Sequence, residues 1–189
     1  MAKARLEVEA KARVSDPALV LPALMRMGRV KDEIDYEDAY YVPGDVEGYS
    51  FRRFRVRHSG ARTTVTAKER VPSERGETSR EWEFEVSDRE RFLGFIRQFG
   101  FKPLLTKRKR GRRYAIVPEP GDACQYEAVV ELVEIEGLGH FVEIEVMVDR
   151  EDEVAAARAR VEAIFAQLGI SPQEFVTTPY TLMLYQDRG

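Results

Sequence analysis

The 189-residue chain predicts an α+β fold: a curved antiparallel sheet with its charged face turned inward and helices packed on its apolar face. Two observations carry this. Strict alternation of charged and apolar residues recurs along the chain, and a period of two places the two sets on opposite faces of a strand. Between these strands lie capped segments of helical length, available to cover the apolar faces. If the helices pack outside a curved sheet, the charged faces must line its concave interior.

The first strand shows the pattern most plainly. Glu7, Glu9, Lys11 and Arg13 alternate with Leu6, Val8, Ala10, Ala12 and Val14. Ser15 or Asp16 then caps a helix with Pro17 at its first position, running through Ala18–Met27 to Gly28, with Leu19, Leu21, Leu24 and Met25 as its apolar stripe. Lys31–Val42 reads as a strand stopped by Pro43-Gly44. After a loop through Gly48, Phe51–Arg57 sets Arg53, Arg55 and Arg57 against Phe54 and Val56. Gly60 marks a turn, and Thr63–Lys68 sets Thr64, Thr66 and Lys68 against Val65 and Ala67. Pro72–Thr78 reads as a loop.

Glu81–Val86 repeats the motif with three carboxylates opposite Trp82, Phe84 and Val86, large groups that fit a helix-covered exterior. Asp88 caps a helix through Phe99 that Gly100 closes. Lys107–Arg110 is a basic strand or hairpin arm with a turn expected near Gly111. Tyr126–Glu136 is a strand with Glu127 and Glu131 on one side; Gly137-Leu138-Gly139 turns it, and Val142–Val146 alternates again through Glu143 and Glu145. Glu151–Leu168 is an amphipathic helix ended by Gly169. Ser171-Pro172 opens a short helical piece, and Tyr180–Tyr185 closes the chain. No linker or low-complexity segment interrupts residues 1–189, which read as one domain.

Composition narrows the function classes. Charged residues make up 33% of the chain, yet 30 Lys and Arg against 33 Asp and Glu leave a net charge of only -3. That near-balance argues against a nucleic-acid binder, including an RNA-binding role for the Lys107–Arg113 run. Ten Phe and 43% hydrophobic residues argue against disorder. The single cysteine, Cys124, excludes an internal disulfide and a Cys-rich zinc site. No apolar run follows Met1-Ala2-Lys3-Ala4-Arg5 and none reaches membrane-spanning length, so a soluble cytoplasmic protein with no membrane partner is expected. A homodimer stays open.

Interior acids and bases must pair with each other, with metal, or with a charged ligand. The candidate metal ligands are Glu7, Glu9, Glu81, Glu83, Glu143 and Glu145. The candidate cations are Lys11, Arg53, Arg55, Arg57, Lys68 and members of the 107–113 cluster. There the inward choice is Lys107 and Lys109, with Arg108 and Arg110 as the alternative register. Glutamate oxygens suit Mg²⁺ or Mn²⁺, and Arg and Lys suit phosphoryl oxygens. A short phosphate chain matches successive cations.

Several segments, in order, resemble motifs of the CYTH superfamily, the triphosphate tunnel metalloenzymes. Glu7-x-Glu9-x-Lys11 resembles its ExExK motif, and Asp38-Ala39-Tyr40-Tyr41 is similar to its Asp-x-Tyr-Phe/Tyr segment. Phe54-Arg55-Val56-Arg57 and Thr66-Ala67-Lys68 look like its Leu-Arg-x-Arg and Thr-x-Lys strands. Glu81-x-Glu83 and Gly100-Phe101-Lys102-Pro103 fall where the family has similar segments. Gly137-Leu138-Gly139-x-Phe141-Val142-Glu143-Ile144-Glu145 is similar to its Gly-Leu-Gly-x-Phe-x-Glu-x-Glu.

The resemblance implies a closed antiparallel barrel of about eight strands around a charged tunnel. It implies that Lys11, Arg55, Arg57 and Lys68 bind a triphosphate, while Glu7, Glu9, Glu143 and Glu145 hold one or two divalent ions. Glu9, Lys68 and Tyr40 are the catalytic candidates. Tyr40 would orient or deprotonate water if Lys68 lowered its pKa; a packing role is the alternative. Members hydrolyse inorganic, thiamine, nucleoside or RNA 5′-triphosphates, or are class IV adenylate cyclases, so the expected partner is ATP, thiamine triphosphate or inorganic triphosphate. A non-catalytic polyphosphate or nucleotide sensor is the third reading.

Three departures stand out. An aspartate common before Gly-Leu-Gly is replaced near Val133, with Glu131 on the same face as the substitute. A lysine before the C-terminal Ser-Tyr is absent from Thr177-Thr178-Pro179-Tyr180. The register of the basic strand is open, as noted above. His58 and His140 read as solvated histidines at strand ends, with a general-base role as the alternative, and Cys124 receives no role.

Overall fold

The computed structural model describes residues 5–60, 62–71 and 77–187. Eight strands form the sheet: β1 (Leu6–Arg13), β2 (Arg29–Pro43), β3 (Phe54–Ser59), β4 (Arg62–Val71), β5 (Glu77–Val86), β6 (Phe101–Ile116), β7 (Ala128–Ile135) and β8 (Gly139–Val148). They close into an antiparallel barrel in the order β1-β5-β4-β3-β2-β6-β7-β8. β1 makes the closure. It pairs with β8 along its whole length, from Leu6 opposite Val148 to Arg13 opposite Phe141, and on its other edge with β5 from Leu6–Arg80 to Glu9–Glu77.

Alternation decides what faces where. Val8, Ala12, Val130, Val142, Ile144 and Val146 point outward and are fully buried. They are covered by α3 (Val154–Gln167) through Val161, Ile164 and Phe165, and by Leu24 of α1 (Leu21–Met27). α2 (Arg89–Gln98) is capped by Asp88, whose carboxylate accepts from the Arg91 N–H, and it buries Leu93 and Ile96. α4 (Tyr180–Gln186) packs at one end of the barrel, where Tyr180, Met183 and Leu184 join Ile34, Val133, Ile135, Leu138 and Phe141.

Several expectations need correction. The first helix is split: Asp16 caps a single 3₁₀ turn over Pro17–Leu19, and α1 starts at Leu21. Leu24 is buried as expected, but Leu19 and Met25 are exposed and Val20 is buried in their place. The short turn rotates the stripe, so a 3.6-residue period counted from Ala18 misses the true face. β3 begins at Phe54, leaving Arg53 in the preceding loop. Of the loop expected at Pro72–Thr78, residues 72–76 lie outside the described residues, while Glu77 and Thr78 belong to β5. Trp82 and Phe84 do lie outside the barrel, but they are not covered as expected: about half of each is exposed. Glu127 precedes β7 and pairs with Lys31 in an exposed bridge rather than sharing a strand face with Glu131. The helix expected from Glu151 opens with a 3₁₀ turn before α3.

The largest correction concerns Gly111. No turn occurs there; β6 runs straight through from Phe101 to Ile116, paired with β2 on one side and β7 on the other. Gly111 has φ +153°, and a Cβ would lie 2.1 Å from the Leu132 carbonyl oxygen. Glycine here permits close strand approach rather than chain reversal. Gly111→Ala is therefore expected to destabilise the fold by at least about 2 kcal/mol, since the obstacle is backbone. Urea unfolding measures this, and a variant as stable as the parent would contradict the strand packing.

Candidate active site

The barrel encloses a cavity of about 980 Å³ lined by residues from all eight strands and from α4. The sequence-predicted residues converge on it. Glu7, Glu9, Lys11, Tyr40, Arg53, Arg55, Arg57, Lys68, Glu81, Glu83, Lys107, Lys109, Glu143 and Glu145 all line its wall. Lys107 and Lys109 face inward and are buried, whereas Arg108 and Arg110 point outward toward Asp35. Glu83 stands at the edge, half exposed.

The cations of β3 and β6 are anchored by one carboxylate. Asp38 is fully buried; it accepts from Arg57 Nε at 2.7 Å and Nη2 at 3.0 Å, and Lys107 Nζ lies 3.3 Å away. Burial opposes its ionisation, but Lys107 and the Arg57 fork outweigh that and hold the carboxyl far below the usual range. The Arg57 guanidinium also lies 3.5 Å from the centre of the Tyr36 ring. Arg55 donates to Thr66 Oγ1 at 2.8 Å, and Thr66 donates to Glu83 at 2.9 Å.

A second set comes from β1, β4, β5 and β8. Lys68 hydrogen-bonds Glu7 and lies 3.9 Å from Glu9; Ser79 donates to Glu7 at 3.0 Å. On β6, Lys109 pairs with Glu131 and, at 2.8 Å, with Glu143. Glu131 also receives Arg113. It thus occupies the lumen where the family's aspartate is missing.

Acids crowd this side. Glu9 stands directly opposite Glu145 across the β1–β8 seam. Burial, followed by the charge of Glu7, pushes the Glu9 carboxyl up to about 7. Glu145 is pushed well above the usual range by burial and then by Glu7, Glu131 and Glu9. Glu7 itself is held low, because Lys68 and Ser79 overcome its burial.

Among the described residues no three acid, histidine or cysteine side chains are gathered closely enough to hold an ion, because Lys68 and Lys109 engage Glu7 and Glu143. The donor chemistry nevertheless fits a hard divalent cation. Glu7, Glu9, Glu143 and Glu145 offer only oxygen ligands from two adjacent strands, and the set holds more carboxyl groups than its two lysines pair.

Tyr40 differs from expectation in its neighbours. The cations against its ring are Arg53, at 5.9 Å, and Lys107, at 5.8 Å, while Lys68 is turned to the glutamates. Sequence reasoning missed the anchoring by Asp38, which shares a strand face with Tyr40 two residues on; that spacing was the available signal. It also missed Ser79, Tyr180 and Thr181, which line the cavity, and within the 107–113 cluster it did not single out Arg113, which lines it too. His58 is on the exposed surface near Thr63, and Cys124 is buried in the apolar core.

A closed barrel with an inward array of cations and carboxylates defines a polyanion-binding tunnel. The CYTH domain family description matches residues 5–180, and the chain belongs to that family, one of metal-dependent proteins acting on triphosphates. PH1819 protein from Pyrococcus horikoshii OT3 is similar in structure, with a TM-score of 0.77, 25% identity, and 96% of this chain and 99% of that one covered. A candidate adenylate cyclase from Vibrio parahaemolyticus superposes with a TM-score of 0.76 at 19% identity, covering 96% and 98% of the two chains. HpAC1 from Hippeastrum, described as having a dominant triphosphatase activity, matches with a TM-score of 0.59 at 14% identity over 97% and 96%. No curated protein matches by sequence. Among the described residues no helix is long and apolar enough to cross a membrane.

Asp38→Asn tests the anchor. Removing the charge strands two buried cations, so stability at pH 7 should fall by about 3–5 kcal/mol. The depressed carboxyl stabilises the fold fully above its unfolded value near pH 4, and that contribution is lost as pH falls toward the folded value. Unfolding measured from pH 7 to 2 should therefore show a shallower acid decline in the variant. A parallel decline in both proteins would remove Asp38 from this role.

Proposed function

We propose that the chain is a divalent-metal-dependent triphosphatase that binds its substrate in the barrel lumen. The observation that carries this reading is the meeting, in one cavity, of the β3, β4 and β6 cations with the over-populated glutamates of β1 and β8. Arg55, Arg57, Lys107 and Lys11 hold phosphoryl oxygens, with Arg57 and Lys107 aimed by Asp38. Arg53 serves the same purpose from the rim, and Lys68 and Lys109 join once released from their glutamates. Glu7, Glu9, Glu143 and Glu145 hold Mg²⁺ or Mn²⁺, and Glu81 and Glu83 extend the acid set toward the opening. The ion supplies charge neutralisation on the phosphoryl oxygens. Glu9, Lys68 and Tyr40 position water for attack on the terminal phosphorus.

A second reading, an adenylate cyclase acting on ATP, is favoured by one feature. At one edge of the cavity Arg53 is surrounded by the rings of Tyr40, Tyr49 and Phe51, at 5.9, 4.9 and 5.1 Å. Such a surface can receive an aromatic base. The family contains both activities.

Incubation with inorganic triphosphate, thiamine triphosphate or ATP and Mg²⁺ or Mn²⁺, followed by phosphorus NMR, separates the readings. Orthophosphate release is the expected result. Cyclic AMP with pyrophosphate would replace it by the cyclase, and tight binding without turnover would make the protein a sensor. Glu9→Ala should lower turnover by at least about a hundredfold at saturating metal, as expected for loss of a ligand to the catalytic ion. Full activity in that variant would refute the metal assignment.

A further inference from the structure

One polar group in the lumen lacks the partner that burial ordinarily demands, and a cation without an ion pair stands beside it. The Tyr180 hydroxyl is buried and has no hydrogen-bond partner, and the residue is only 7% exposed. Lys11 is 4% exposed and, among the described residues, pairs with no carboxylate. The two adjoin, since the Lys11 ammonium lies 5.3 Å from the centre of the Tyr180 ring. Lys107 Nζ lies 5.6 Å from the same ring. The phenol is fixed in place: its ring packs edge-on against Phe141 at 4.8 Å, and the next residue, Thr181, is hydrogen-bonded by Tyr49 and Arg53.

Glu143 is the nearest acceptor and, after burial, raises the phenol through its charge and a weak hydrogen-bonding contact, but neither of its oxygens meets strict hydrogen-bond geometry. Leaving a buried hydroxyl without an acceptor beside an ammonium that has no ion pair is unfavourable. It becomes favourable when a ligand oxygen accepts from both. Only an anionic acceptor also neutralises the lysine.

We propose that Tyr180 is a substrate-binding residue whose hydroxyl, together with the Lys11 ammonium, grips a phosphoryl oxygen at the α4 end of the lumen. The inference rests on the triphosphate reading above and adds a residue to it. It also gives the C-terminal segment a function in this chain: α4 presents a neutral donor beside a cation supplied by β1. Rigid packing on Phe141 means that the donor is preorganised, so little ordering accompanies binding.

The test is Tyr180→Phe, which keeps the ring and its packing and deletes only the hydroxyl. Binding of inorganic triphosphate in the presence of Mg²⁺ is measured by calorimetry, beside thermal unfolding without ligand, with Arg57→Ala as a control on the tunnel itself. The expected result is a Kd raised about tenfold, as for loss of a hydrogen bond to a charged group. The unliganded melting temperature should be unchanged, because the hydroxyl contributes no bond to the fold. A double variant with Lys11→Gln should lose less than the sum of the two single losses, since both donors serve one acceptor.

An unchanged Kd in Tyr180→Phe while Arg57→Ala binds weakly would overturn the assignment of Tyr180 and leave the tunnel reading intact. A lower melting temperature without ligand would overturn it too, by showing that the hydroxyl serves the fold. Absence of triphosphate binding by the parent protein would overturn the tunnel reading and this inference together.

Discussion

Charge neutralisation inside a closed wall is the constraint on which the rest of this structure depends. A barrel interior excludes most water, and an isolated ion there loses several kcal/mol of solvation even after relaxation. The cation side meets the constraint internally: Asp38 lies between Arg57 and Lys107, and all three remain ionised. The acid side does not. Glu9 and Glu145 face each other with Glu7 nearby, and with the two lysines engaged chiefly by Glu7, Glu131 and Glu143, the Glu9 and Glu145 carboxyls are pushed upward. A fold selected for stability alone would place apolar residues there. The surplus points outward, to a ligand.

The scaffold that sustains this arrangement is built from the same alternation. Because the side-chain period is two, a slip of one residue in β1 would move Val8 and Ala12 into the lumen and Glu7 and Glu9 into the apolar layer under α3. Both faces of β1 are specified, and it closes the barrel against β5 and β8, so register and closure reinforce each other. Gly111 performs a related task on β6, where a missing side chain lets β7 approach.

What could be read from the sequence was whatever depends on local period. The inward faces of β1, β3, β4, β5 and β8 follow from strict alternation, and their convergence follows from covering the other face with helices. What could not be read depends on tertiary context. Gly111 looks the same in a turn and in a tight strand crossing. The phase of Leu19 and Met25 was lost because a 3₁₀ turn intervenes. Trp82 and Phe84 suggest a covering helix by size alone, yet about half of each is exposed. Tyr180 falls on the C-terminal Ser-Tyr position, but the sequence does not show which partners it lacks, and only packing reveals that.

The division of the lumen into two electrostatic halves bears on how its proposed ligands would enter. Lys68 and Lys109 are now held by Glu7, Glu131 and Glu143. A divalent ion on those glutamates would free both ammonium groups for phosphoryl oxygens, and a polyanion drawing the lysines away would expose the glutamates to the ion. Each ligand thus relieves the cost of binding the other. By linkage the two effects are equal, so whatever factor the metal adds to triphosphate affinity, triphosphate adds to metal affinity. A lumen lined by cations alone would bind phosphate and have no reason to wait for metal. The lysine–glutamate pairs would make the two proposed ligands mutually dependent, with no moving part larger than a side chain.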